Sequence, residues 1–215
     1  MPQTFVAQRK MEIIAFTICV NFDDILKHMF DQNARFLKKW YIISSPADTQ
    51  TAELISTAAK DNVELLIYDN FYNGMRFNKG GAQRFAQMHI HKHHPSANVL
   101  CIDADIYLPD DFLEKLPPHL EDNTLYGSQR TDYWTLEDFV GNTNPHPKTS
   151  AHFQGYFQLY KENTKYLFEN SYNCSRCDDI FRDSFPKKVN LDLCVKHLGI
   201  NGRHWNGRDF RLGVF

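Results

Sequence analysis

The chain has no apolar run approaching the roughly 20 residues that a helix needs to cross a bilayer, so no membrane-spanning helix is expected. It also lacks an excess of positive charge: 24 Lys and Arg against 26 Asp and Glu leave a formal net charge of -2. Nucleic acid would have to be held by a local basic patch, and no such partner is expected. "CSRC" (Cys174, Cys177) has no second CxxC and no close HxxxH to complete a zinc site. No GxxxxGK phosphate loop is present, and there is no internal repeat, low-complexity tract or linker. The opening "MPQTFVAQRKMEIIAFTICV" puts a basic pair before an apolar group, but that group is short and breaks at Asn21. Without a small-residue cleavage site, a signal peptide is not expected.

What is present fits one large domain. The 215 residues are 42% hydrophobic and 23% charged, enough for a sizeable core. Of the five cysteines, Cys19, Cys101 and Cys194 lie in apolar runs and read as buried free thiols of a reducing compartment. The first half alternates two periods. "EIIAFTICV", "KWYIISS", "VELLIYD" and "NVLCID" read as strands. Between them, "DDILKHMFDQNARFL", "TQTAELISTAAKD" (opened by a threonine cap) and "FNKGGAQRFAQMHIHKHH" read as helices. Such alternation predicts an α/β fold, a mostly parallel central sheet with helices on both faces. The second half is less regular. "TLYGSQR", "FQGYFQLYK" and "NLDLCVKHLG" read as strands and "DDIFRDSF" as a helical turn. The stretch through "NTNPHPKTSAH" reads as a long loop from Ser128 to His152. The expectation is a single domain over 1–215, with a nucleotide-binding half over about 11–127 and an acceptor-binding half over about 128–215.

Ligands of open parallel sheets bind beyond the carboxyl ends of the strands. That rule selects Asn21 and Asp23, Ser44 to Asp48, Asp69, and Asp103 with Asp105. Desolvating carboxylates at the end of a buried strand is costly. Such a set, with no lysine expected beside it, would repel unless a divalent cation joined it. Mg2+ or Mn2+ with a phosphate-bearing substrate suits oxygen ligands; the alternative is a solvated turn. Among the other features, His89, His91, His93 and His94 read as a solvated helix end. Tyr133, Trp134 and Phe139 read either as a stacking surface for a sugar or as a small core under the loop.

"IDAD" after a buried strand resembles the DxD motif of GT-A fold glycosyltransferases. "TICVNFDDIL", "WYIISSPADTQT", "FNKGGAQ" and "HLGINGRHWNGR" extend the resemblance to small family-2-like enzymes of bacteria and phages, over roughly residues 11 to 210. The resemblance implies a hexosyl transfer from a UDP- or GDP-sugar to a hydroxyl of a glycan, lipid-linked or other acceptor. It implies Asp105 as a direct ligand of Mn2+ or Mg2+, with Asp103 on the ribose or a metal-bound water. It implies Asn21, Asp23 and Asp48 around base and ribose, and Asn78 and Lys79 at a helix start facing the nucleotide. A further metal ligand is expected from His197, with His204 second. If the anomeric configuration inverts, a carboxylate must take the acceptor proton, and Asp179 is the first choice with Asp178 second. Gly155 matches the small residue that lets the sugar approach the sheet, or else a bulge glycine. The cytoplasm is the expected location, with peripheral attachment to a membrane as the alternative. The rivals are a sugar-phosphate nucleotidyltransferase and a catalytically inactive glycan- or nucleotide-binding module. Against the former, the segment after the first strand, "VNFDD", is acidic and has no glycine.

Overall fold

The structure is a computed structural model that describes residues 11–72, 77–148, 155–162, 165–170 and 176–199. Four parallel strands form its front: β1 (Ile13–Ile18), β2 (Lys39–Ser44), β3 (Val63–Ile67) and β4 (Asn98–Ile102). They are ordered β3-β2-β1-β4 and joined by α1 (Asp23–Ala34), α2 (Thr49–Ala58) and α3 (Lys79–His93). Alternation along β1 sends Ile13 and Ala15 into one core with Leu26 and Phe30 of α1 and Ile55 of α2. Ile14 and Phe16 enter a second core with Ala82, Ala86 and Ile90 of α3. Both faces of the sheet are therefore covered, as strands apolar on both sides require.

The sheet continues through β5 (Ile106–Tyr107), β6 (Thr124–Tyr133), β7 (His146–Lys148), β8 (Phe157–Lys161) and β9 (Lys187–Leu198), with α4 (Leu136–Gly141) and α5 (Cys177–Ser184). Its order beyond β4 is β8-β6-β9-β5, with β7 beside β6. β8 runs antiparallel to both β4 and β6, while β6 and β9 are parallel. The carboxyl ends of β4, β6 and β9 consequently lie along one edge. Between Gly127 and Gln129 the ladder slips: Gly127 faces Asn190, whereas Gln129 faces Cys194.

Four expectations need correction. The stretch from Ser128 is not a loop as far as it is described. β6 runs on to Tyr133, and Thr135 then caps α4 by accepting from the Asp138 N–H. Tyr133 and Phe139 pack with Ile25, Met29 and Leu198 in a small third core, while Trp134 stays partly exposed. The α2 cap is Asp48, not Thr49, because the Asp48 carboxylate accepts from the Thr51 N–H. Cys19 and Cys101 are buried but Cys194 is exposed, because β9 alternates and Leu193 and Val195 take its inward positions. The end of α3 is less solvated than expected: the His89 ring packs on that of Tyr41, and Nε2 of His94 lies 2.9 Å from the Tyr41 hydroxyl.

Candidate active site

Beyond β4 the chain turns sharply, with the Asp103 N–H donating to the Tyr156 carbonyl and the Ile106 N–H to the Asp103 carbonyl. Asp103 and Asp105 face different partners. Nζ of Lys79 lies 3.0 Å from Oδ1 of Asp103 and 2.9 Å from Oδ2 of Asp178. The lysine sits in the first turn of α3, so its ammonium reaches the strand edge from above. Burial pushes Asp103 up to about 6 against the pull of Lys79, and Asp178 and Asp105 add to the rise. Burial also works against the Lys79 charge, but Asp103 and Asp178 outweigh it and hold the ammonium well above its usual range. The carboxylates thus converge on a lysine, contrary to the lysine-free cluster expected.

Asp178, in the first turn of α5, is clamped from three sides. Besides Lys79, Gln83 Nε2 donates to its Oδ1 at 2.6 Å, and Gln158 Nε2 donates to its main-chain carbonyl at 3.1 Å. Gly155 lies flat against it, since a Cβ there would stand 2.1 Å from the Asp178 Cγ. That space, expected for the sugar, is filled by the Asp178 side chain. Asp179 turns away and pairs with Arg182 at 2.6 Å. Of the two acids offered by the sequence, the structure brings Asp178 to the strand edge.

Asp105 belongs to a second group. Its Oδ2 lies 3.2 Å from Nε2 of His197, whose Nδ1 lies 2.9 Å from Oδ1 of Asp132. Arg130 Nε stands 2.9 Å from the same Asp132 oxygen. Burial opposes a charge on His197, but Asp105 and Asp132 together raise its pKa to about 9. Burial likewise opposes ionisation of Asp105, and His197 overcomes it, holding this carboxyl below its usual range. Oδ1 of Asp105 is buried with no hydrogen-bond partner. Such an oxygen is costly to leave bare, so it suits a cation. Among the described residues no three His, Cys, Asp or Glu side chains form a ready cage for a metal. That is no obstacle for Mg2+ or Mn2+, whose usual sites take one or two carboxylates and complete the shell with phosphate oxygens and water. The donors present therefore fit a hard divalent cation held by Asp105, with His197 beside it.

The other sequence candidates among the described residues sit after β1 and β2 and at the starts of α1 and α3. Asn21 adopts a left-handed φ of 58° and its N–H donates to Oδ2 of Asp48 at 2.7 Å, linking the ends of β1 and β2. Asp48 also accepts from the hydroxyls of Ser44 and Thr51. Asp23 begins α1. Asn78 caps α3 by accepting from the Gly81 N–H, and its amide donates to the Tyr68 hydroxyl. His204 lies outside the described residues. Asp132, Arg130 and Gln83 escaped the sequence reading. Asp132 and Arg130 fall where a loop was expected to begin, and Gln83 looks like any helix polar residue. One cue was legible: β9 points Leu191, Leu193 and Val195 inward, and His197 takes the next inward position.

A mostly parallel, curled sheet carrying such an edge defines the nucleotide-diphospho-sugar transferase-like fold, of α/β class. Solved structures with the same fold include the inositol-1-phosphate CTP transferase from T. maritima, 9% identical with a TM-score of 0.55 over 91% of this chain and 92% of that one. HddC from Yersinia pseudotuberculosis is 13% identical, with a TM-score of 0.53 over 89% of this chain and 95% of that one. No protein-family model and no curated protein sequence matches the chain.

Proposed function

We propose that the protein is a metal-dependent glycosyltransferase that moves a hexosyl group from a nucleoside diphosphate sugar to an acceptor hydroxyl, with inversion. One observation carries this reading: Asp105 and His197 stand side by side beyond β4, and the Asp105 Oδ1 is buried without a partner. Asp105, with His197 beside it, would hold a divalent cation, which would supply neutralisation of the charge on the departing nucleoside diphosphate. Lys79 and the start of α3 hold the diphosphate from the other side. When Lys79 turns from Asp178 to a phosphate oxygen, the Asp178 Oδ2 is released from its ion pair and is free to face the acceptor. Asp178 then takes the acceptor proton, the role expected first of Asp179. Asn21, Asp23, Asp48 and Asn78 shape the base and ribose side chiefly through the loops they brace. Asp103 stays within reach of the ribose or of a water in the cation's shell, and Gly155 leaves room for Asp178. The acceptor is a glycan, a lipid-linked sugar or another hydroxyl compound. The proposed location is the cytoplasm, with peripheral membrane contact as the alternative; among the described residues no helix is long and apolar enough to cross a membrane.

A nucleotidyltransferase is the second reading, favoured by the CTP transferase among the solved structures of this fold. The acidic, glycine-free segment after β1 weighs against it. Calorimetric titration of UDP and GDP with Mn2+ and then with EDTA tests the first reading, which requires one nucleotide to bind only with metal. Incubation with labelled nucleotide sugars, and separately with CTP and sugar phosphates, separates the two. Release of a nucleoside diphosphate supports sugar transfer, whereas release of pyrophosphate overturns it.

A further inference from the structure

Asp132 is a buried carboxylate with no task in the proposed reaction. Its side chain is 1% exposed, and a charge so placed persists only when paired. It has three partners: His197 Nδ1 at 2.9 Å, Arg130 Nε at 2.9 Å and, more distantly, Lys148 Nζ at 3.8 Å. Arg130 and Lys148 offset part of its charge, and the directed contact to Nδ1 of His197 also orients the imidazole. β9 lies between β5 and β6, with His197 opposite Ile106 on one side and opposite Asp132 on the other. Asp105, in the turn just before β5, and Asp132, on β6, therefore flank His197 from either side, and the imidazole is gripped at both nitrogens.

A histidine that offers Nε2 to a cation carries its remaining proton on Nδ1, and whatever accepts that proton's hydrogen bond selects the tautomer and the ring plane. We propose that Asp132 is a positioning residue: it accepts from the Nδ1–H of His197 and thereby turns Nε2 towards Asp105 and the divalent cation. This inference rests on the reading of Asp105 and His197 as a cation site. Arg130 keeps the Asp132 carboxylate ionised and in place, and Tyr156 supports Arg130, whose guanidinium carbon lies 4.8 Å from the centre of that ring. The positioning chain thus runs from Tyr156, just before β8, through β6 to β9.

The test is Mn2+ binding in the presence of UDP or GDP, followed through the paramagnetic resonance of free Mn2+, for the parent, Asp105→Ala, Asp132→Asn and Asp132→Ala. Asp105→Ala is expected to abolish binding. Asp132→Ala should weaken Mn2+ by about 10- to 100-fold, and Asp132→Asn, which keeps an acceptor for Nδ1–H, should restore part of that loss. A carboxylate serving only to neutralise Arg130 would give Asp132→Ala the parent's Mn2+ affinity while Asp105→Ala still fails. That result overturns the inference and leaves the cation site standing. If the parent binds no Mn2+, or Asp105→Ala binds it as the parent does, the cation reading itself falls and takes the inference with it. Should Asp132→Ala not fold, the nitrogen-15 spectrum of the parent's His197 with Mg2+ and nucleotide decides. A proton on Nδ1 agrees with the inference, and a proton on Nε2 overturns it.

Discussion

Nζ of Lys79 lies 2.9 Å from Oδ2 of Asp178, a residue 99 positions further along the chain. This contact joins the first turn of α3 to the first turn of α5 over the end of β4. It ties the nucleotide side of the proposed site to its acceptor side through one cation.

Removing that cation leaves Asp103 and Asp178 facing each other at low exposure. Lys79→Met is expected to destabilise the fold by about 3 kcal/mol, the lower end for a broken buried pair because Asp103 keeps some access to water. Urea unfolding measures this. An unchanged midpoint would mean that the two carboxylates separate freely without the lysine.

The two adjacent acids should behave oppositely. Asp178→Asn should lower turnover by about 100- to 10,000-fold, the usual contribution of a positioned base, and leave nucleotide binding near the parent value. Asp179→Asn removes a partly exposed pair with Arg182 and should leave both intact. Steady-state rates with the donor identified by calorimetry would show it, and full turnover in Asp178→Asn would move the base elsewhere.

Gly155 can be probed by one methyl group. In Gly155→Ala the new Cβ collides with Asp178, so the acid or the strand must shift, at a cost of about 1 to 3 kcal/mol. The expected outcome is a fall in turnover with a modest loss of melting temperature. Parent-like kinetics would show that Asp178 has room to withdraw without consequence.

Glu162, just past β8, gives a pH signature unrelated to the site. Its side chain is 2% exposed, with Oε1 3.2 Å from Nδ1 of His91 and Oε2 unpartnered. Burial pushes its carboxyl from 4.5 up to about 8. Because the folded pKa is raised, the stability it contributes is full below 4.5 and is lost as pH rises through about 8. Glu162→Gln cannot ionise, so its melting temperature should gain on the parent between about pH 5 and pH 9. A gap that stays constant across that range would place the carboxyl in water.

The front half of the fold was legible because its strands are apolar on both faces and its helices repeat at 3.6 residues, so burial writes the pattern directly. The DxD pair and His197 were legible for a related reason: each interrupts an apolar strand with a group that needs a partner. Asp132 was hidden because its own partners are charged groups, most of them brought from other segments, and "RTDY" carries no periodic signal. α4 could have been read from Thr135 and Asp138, which stand at capping spacing. The choice between Asp178 and Asp179 was beyond sequence, since it depends on where Lys79 and Gln83 arrive from α3.

The ladder slip between Gly127 and Gln129 acts as a vernier for the proposed site. Up to Gly127, β6 and β9 keep one offset; beyond it β9 has gained two residues on its partner. Carried forward without the slip, the first offset would set Asp132 opposite Val195, and His197 would have no carboxylate across the ladder. Length changes in the surface loops would leave this alignment alone. A two-residue deletion inside β9 could preserve every apolar contact of the inward face in kind, yet separate the histidine from its acid. In this chain, then, the surface connections can change length without moving His197 from Asp132, whereas the residue count along β9 cannot.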